Sequence, residues 1–232
     1  MSKLRAYIDL MKLRVVELLI ITTVPAVVLA ERGFPSLTLL FWTLVGGTLA
    51  AGSANAFNMV IESERDKLMK RTAQRPLVTG VVSRTEAAIF ATLIGLLSLL
   101  IFYQFTTLLA TILTAIAIAY YVIVYTIALK PHTSQNIVWG GAAGCMPVLI
   151  GWAAVTNSLT WVPIAFFMVI FFWTPPHFWA LAIKYKDDYS AAGIPMLPSV
   201  ATRANVIGQM WFHTIAMVLS STALIQLAEL PV

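Results

Sequence analysis

Asn58, Glu62 and Asp66 recur at a spacing of four residues. On an α-helix that spacing stacks three oxygen-bearing side chains along one face, about two turns deep. Such a stripe suits a hard divalent cation such as Mg2+, which takes oxygen ligands and shares itself readily with phosphates. The stretch that carries it, Asn55 to Pro76, holds three of the chain's ten acidic residues, Glu62, Glu64 and Asp66. It also holds five of the fifteen basic ones, Arg65, Lys67, Lys70, Arg71 and Arg75. Lys70, Arg71 and Arg75 follow the stripe closely enough to hold a phosphate, and the planar fork of arginine meets two oxygens at once. A second charged stretch, Lys184 to Pro198, contains adjacent carboxylates, Asp187 and Asp188. Two acidic helix ends facing each other define a metal-ligand set of Asn58, Glu62, Asp66, Asp187 and Asp188. The chemistry this suits is departure of a diphosphate, with metal and Lys/Arg neutralising the charge that grows on the leaving group.

The rest of the chain must position these residues, and it is apolar. Of 232 residues 59% are hydrophobic and 11% charged, and the mean hydropathy is +0.86. Soluble domains are about 25% charged, so the composition predicts an integral membrane protein built of helices, an all-α polytopic bundle. The single cysteine, Cys145, excludes an internal disulfide framework and reads as a small packing residue. A net charge of +5 does not point to nucleic acid, because the basic residues sit beside apolar segments, where they set topology.

Seven apolar segments are long enough to span a bilayer, or nearly so. They run from about Val15 to Ala30, Leu37 to Val60, Ala87 to Phe105, Leu108 to Leu129, Ile137 to Val155, Trp161 to Ile183 and Val206 to Leu227. The connections alternate in character. Fourteen of the fifteen Lys and Arg residues fall in the N-terminus and the 61–86, 130–136 and 184–205 loops, and Arg32 alone lies on the other side. By the positive-inside rule the N-terminus and those three loops are cytoplasmic. Both long charged loops then lie at one membrane face, above apolar spans fit to hold a lipid chain. Charged loops at helix ends are ordinarily solvated faces and topology signals. The stripe and the second acidic loop on the same side argue for more than that.

The order of motifs resembles that of the intramembrane aromatic prenyltransferases. Asn58-x-x-x-Glu62-x-x-x-Asp66, with Met69-Lys-Arg-Thr72 and Arg75-Pro-Leu-Val-Thr-Gly80, is similar to their first signature. Leu129-Lys-Pro-His-Thr-Ser-Gln-Asn136 resembles a central segment. Thr174-Pro-Pro-His-Phe-Trp179 and Asp187-Asp-Tyr-Ser-Ala-Ala-Gly-Ile-Pro-Met-Leu-Pro198 resemble the second signature of the haem-farnesylating branch. The resemblance implies a nine-helix bundle around a central cavity in a bacterial or archaeal cell membrane. Against that number, one transmembrane domain over residues 1–232 is expected to lack the last two helices, the chain stopping at Leu230-Pro-Val232. The implied reaction moves a farnesyl group from farnesyl diphosphate to a vinyl group of haem B, giving haem O and diphosphate, with Mg2+ as cofactor and haem as substrate. Haem A synthase or a terminal oxidase assembly are the implied partners downstream. The chain departs from the pattern at Glu62, where the family usually has Asp. Lys184 stands where quinone-precursor enzymes carry the first Asp of Asp-x-x-x-Asp, and reads as a diphosphate contact.

The resemblance implies roles. Asn58, Glu62, Asp66 and Asp188 carry the metal-assisted ionisation, with Asp187 beside them. Lys70, Arg71, Arg75, Lys130 and Lys184 contact diphosphate or the haem propionates. His177, after Pro175-Pro176, is expected at a helix break that turns it inward, where an imidazole can ligate haem iron. An inward polar residue in a span is a functional candidate. His132 lies in a loop, and His213 reads as structural. Tyr121 and Tyr125 can steady an allylic cation by cation–π attraction, the plainer reading of them and Tyr120 being an interfacial aromatic belt. Asn55 supports Asn58, and Gly140, Gly141 and Gly144 allow close helix packing. Three alternatives stay open: a quinone-precursor prenyltransferase, a transporter, and a non-catalytic haem-binding protein.

Overall fold

The computed structural model describes residues 2–229, the side chains of Arg14, Val15 and Leu18 excepted. Leu230, Pro231 and Val232, where the chain stops, lie outside the described residues. The described residues form helices and turns with no strand. The helices are α1 (Lys3–Met11), α2 (Leu13–Glu31), α3 (Leu37–Asp66), α4 (Arg84–Phe105), α5 (Leu108–Ala119), α6 (Asn136–Thr156), α7 (Trp161–Lys184), α8 (Lys186–Ala191), α9 (Leu197–Val200) and α10 (Arg203–Leu227). Six segments are long and apolar enough to cross a membrane: α3, α4, α5 with its continuation to Leu129, α6, α7 and α10. The expected count was seven. The first expected span falls in α2, whose apolar part, Leu19–Glu31, is too short to qualify by length and composition among the described residues.

Polar caps fix where the helices start. Ser36, Ser83, Thr107 and Thr202 each accept a hydrogen bond from a backbone N–H in the first turn that follows, satisfying donors that the helix itself cannot. Ser83 and Glu86 form a reciprocal capping box at the start of α4. Small residues set the packing. Ser53 Oγ donates to the Ala91 carbonyl (2.7 Å) and Ser98 Oγ to the Gly46 carbonyl (2.7 Å), joining α3 to α4. Hydroxyl-to-carbonyl bonds of this kind steady helix pairs in lipid.

Three local features differ from the sequence reading. The segment Lys3–Met11 is a separate helix, α1, joined to α2 through Lys12, whose backbone is left-handed at φ 51°. α3 continues past Val60 to Asp66, so the whole stripe lies on one unbroken helix. The fourth span changes character midway: Tyr120–Leu129 is a π-helix. Its bonds reach back five residues, Lys130 N to the Tyr125 carbonyl (2.9 Å) and Thr126 Oγ1 to the Tyr121 carbonyl (2.9 Å). A π segment is rare and recurs at functional sites. Tyr120-Tyr-Val-Ile-Val-Tyr125 is rich in aromatic and β-branched residues, which form ordinary α-helix less readily.

α7 runs without interruption through Pro175 and Pro176, so the expected helix break is absent. Thr174 Oγ1 bonds the Ile170 carbonyl (2.7 Å) on the preceding turn, just ahead of the two prolines.

Gly140 and Gly141 allow the close approach expected of them. A Cβ at Gly140 would lie 2.1 Å from Tyr125 Cδ2, and one at Gly141 2.9 Å from Thr174 Cγ2. Gly144 has open space instead. Gly140→Ala is therefore expected to destabilise the bundle by about 1–3 kcal/mol through overpacking and to push Tyr125 off its position. Gly208→Ala, where nothing lies within 4 Å, should be neutral or slightly stabilising. Thermal unfolding of the two variants in one detergent checks the contrast.

Candidate functional site

α3 delivers Asn58, Glu62 and Asp66 side by side and all three are buried, at 2%, 2% and 3% exposure. Each of them meets one basic side chain. Lys12 Nζ donates to Asn58 Oδ1 (2.9 Å). Lys130 Nζ lies 2.6 Å from the Glu62 carboxylate. Arg75 Nη1 donates to Asp66 Oδ2 (2.5 Å). The three cations arrive from different parts of the chain. Lys12 comes from the α1–α2 junction, Lys130 from the end of the π-helix, and Arg75 from the loop after α3.

That loop is pinned to the stripe. Thr72 Oγ1 donates to the Asp66 carbonyl (2.7 Å), and Thr72 sits in the short 3-10 turn Lys70–Thr72. Asp188, on α8, accepts from the Arg71 backbone N–H through Oδ2 (3.3 Å). The two charged loops therefore touch, through one hydrogen bond. Arg71's guanidinium lies over the rings of Tyr185 (5.6 Å) and Tyr189 (6.0 Å).

Below the stripe lies a cavity of about 510 Å³. Its polar end is lined by Lys12, Asn58, Arg71, Arg75, Lys130 and Tyr125, and its apolar depth by residues such as Leu44, Ile118, Met146, Ile150 and Trp173. Tyr121 and Tyr125 also line it, with ring centroids 5.2 Å apart. Tyr121 OH reaches Asn55 Oδ1 (3.5 Å), and Asn55 Nδ2 donates to the Met11 carbonyl (3.1 Å). Asn55 thus fastens the α1–α2 junction beside the stripe.

The remaining residues singled out from sequence stand apart. Lys70, Asp187 and Lys184 are exposed, and Lys184 Nζ lies over the Tyr185 ring at 5.7 Å. Asp187 neighbours Asp188 in the first turn of α8 but makes no hydrogen bond or ion pair among the described residues. His177 is exposed on α7, stacked on Trp173 (centroids 4.2 Å) and outside the cavity lining. Without the expected break, the regular turn of α7 puts Trp173, Thr174, Phe178 and Leu181 on the cavity side instead. His132 is exposed and bonds the Ala128 carbonyl (2.8 Å). His213 is buried among Phe172, Trp179 and Phe212.

Lys12 is the site residue that sequence reading passed over. It stands among basic residues that set topology, and its relation to Asn58 spans 46 positions. Burial, joined by the neighbouring charges of Arg75 and Lys130, pushes its pKa down to about 7 against the opposing pull of Glu62 and Asp66.

The residues fit a hard divalent cation. The Glu62 carboxylate is buried, and its Oε1 makes no hydrogen bond and has only the Lys130 ammonium beside it, at 2.6 Å, so it keeps acceptor capacity that a cation can use. Glu62, Asp66 and Asn58 offer oxygen only. Among the described residues no group of three or more His, Cys, Asp or Glu side chains gathers around one point. Two carboxylates and an amide make a set that Mg2+ completes with phosphate and water oxygens.

A helical membrane bundle with an oxygen stripe and basic rim above an apolar cavity defines a class of lipid-diphosphate transferases, and comparison with known proteins agrees. The chain belongs to the UbiA prenyltransferase family, which it matches over residues 19–231. Within that family it is 52% identical over 227 residues to a protein of Rhodococcus jostii named protoheme IX farnesyltransferase, covering 98% of this chain and 75% of that one. It is 55% identical over 228 residues to a protein of the same name from Frankia alni, covering 98% and 79%. Among solved structures, a UbiA homologue from Archaeoglobus fulgidus bound to GPP and Mg2+ superposes with a TM-score of 0.76 at 18% identity, over 97% of this chain and 78% of that one. A UbiA homologue from Aeropyrum pernix in its apo form gives 0.76 at 18% identity, over 94% and 81%.

Proposed function

We propose that this membrane enzyme transfers a farnesyl group from farnesyl diphosphate to a vinyl group of haem B, forming haem O and releasing diphosphate. The observation that carries the reading is the joining of two unlike halves in one cavity, a polar end of Asn58 with Lys12, Arg71, Arg75 and Lys130 and a deep apolar interior. The identity above 50% to proteins named protoheme IX farnesyltransferase supports haem as the acceptor.

Asn58, Glu62 and Asp66 would hold Mg2+, with Asp188 and then Asp187 approaching from α8. Bound there, the ion supplies charge neutralisation to the leaving diphosphate. Arg71, Arg75, Lys130 and Lys12 bind the diphosphate oxygens, and Lys70 and Lys184 extend the cationic rim outward. The apolar wall accommodates the farnesyl chain and excludes water from it. Tyr121 and Tyr125 turn their rings to the cavity, where a π-face steadies the allylic cation left when the C1–O bond breaks. The vinyl carbon of haem B then bonds to farnesyl C1. Water adds to the resulting porphyrin-side cation and loses a proton, leaving a hydroxyethylfarnesyl group. No residue forms a covalent bond to substrate. The basic N-terminus and the 61–86, 130–136 and 184–205 loops face the cytoplasm in this reading, and His177 meets the haem from outside the cavity lining. Product leaves towards a haem A synthase or a terminal oxidase assembly.

Diphosphate release tests the reading. The protein in lipid nanodiscs, given farnesyl diphosphate and Mg2+, is expected to release diphosphate rapidly when haem B is present. An aromatic quinone precursor should leave release at background. Chelating the metal should stop it and added Mg2+ restore it. Release driven by the quinone precursor and indifferent to haem overturns the assignment of acceptor.

A further inference from the structure

Three pairs cap the stripe, and one of them differs from the others. Arg75 sits on Asp66 and Lys130 on Glu62, so each carboxylate already has its cation. Lys12 is left with an amide, Asn58 Oδ1 at 2.9 Å, and has no carboxylate partner among the described residues. A half-buried amine on the cavity wall, held only by an amide, is a poor arrangement for its own sake, since charges drawn out of water are normally paired.

The structure takes trouble to put it there. α1 is anchored by Ala6 and Leu10, both fully buried. Met11 presses against Gly52, where a Cβ would lie 2.7 Å from Met11 Cε. Asn55 holds the Met11 carbonyl, and Lys12 itself adopts a left-handed backbone, uncommon for a residue with a side chain. The result is one amine brought to the first residue of the stripe, Asn58, from the α1–α2 junction.

We propose that Lys12 exchanges partners during binding: it parks on Asn58 in the resting site and turns onto the diphosphate when the metal–diphosphate complex arrives. Parked there, with Lys130 on Glu62, it makes metal binding depend on diphosphate. A divalent ion alone must displace cations from its own ligands and leave them without counter-charge. A diphosphate brings the oxygens that receive them. This inference rests on the proposed function for the identity of the anion, and makes Lys12 a residue that positions the leaving group.

Metal binding without turnover tests it. Mn2+ retained by the full chain in nanodiscs is measured by equilibrium dialysis, alone and with inorganic diphosphate, for the parent, Lys12→Met and Lys12→Arg. The parent should hold Mn2+ roughly tenfold or more tightly with diphosphate than without. Lys12→Met, with the local positive charge removed, should hold Mn2+ alone several-fold more tightly than the parent and lose most of the enhancement. Lys12→Arg should keep the enhancement, which separates the charge from a merely structural role. Thermal unfolding confirms that Lys12→Met is folded. Should a folded Lys12→Met show the parent's two affinities, the exchange is wrong. Haem farnesylation assayed on the same preparation keeps the two readings distinguishable. A parent that farnesylates haem while Lys12→Met binds metal like the parent loses only this inference. A parent that shows the enhancement without farnesylating haem loses only the acceptor.

Discussion

Asp66→Asn is expected to lower farnesyl transfer by roughly 10²–10³-fold, the usual effect of removing one element of preorganised charge stabilisation, while the bundle stays folded. Asp66 is buried at 3% exposure and its carboxylate meets Arg75 at 2.5 Å. Asparagine has nearly the same volume and keeps an oxygen for the Arg75 guanidinium. The Asp66 backbone carbonyl, which accepts from Thr72, is untouched. The loop after α3 should therefore hold its course, and what is lost is one negative charge at the proposed Mg2+ site. Farnesyl transfer assayed beside thermal unfolding checks both halves. Activity within about threefold of the parent would contradict a role for this charge in stabilising the departing diphosphate.

Lys130→Met has the largest expected effect on stability. Lys130 and Glu62 are both largely buried, at 15% and 3% side-chain exposure. Removing the lysine leaves a buried carboxylate without its ion pair, a change that costs about 3–5 kcal/mol where the site is dry. Lys130 lines the cavity and keeps 15% of its side chain exposed, so the lower end of that range is expected. The double variant Lys130→Met/Glu62→Gln removes both charges and should recover most of the stability, yet remain inactive. Unfolding temperatures of the two single variants and the double variant measure the coupling directly. Additive losses would mean that the pair is only a contact of convenience.

Much of this site was legible because helical periodicity is a local property. Asn58, Glu62 and Asp66 share a face by spacing alone, and α3 carries them as that spacing requires. Alternation of the Lys and Arg residues between connections placed both charged loops at one end of the bundle, and the Arg71–Asp188 hydrogen bond joins them there. Long-range geometry was not legible. Lys12 looked like one topology residue among several, because its meeting with Asn58 depends on a left-handed turn and on an Asn55–Met11 bond across 44 positions. His177 was recognisable as a polar residue in a span, but which way it points depends on whether α7 breaks at Pro175-Pro176, and α7 does not. The π-helical turn through Tyr121 and Tyr125 was hidden for a related reason. Residue types favoured or disfavoured in a helix do not say which carbonyl each N–H will reach.

Mass analysis of porphyrin extracted after turnover tests the central claim most directly. The protein in nanodiscs receives haem B, Mg2+ and farnesyl diphosphate deuterated in the farnesyl chain, with Asp66→Asn run in parallel. The account predicts a porphyrin heavier by one labelled farnesyl group and one hydroxyl group, formed by the parent and nearly absent with Asp66→Asn. Unmodified haem B from a folded parent, or equal product from both proteins, would contradict it.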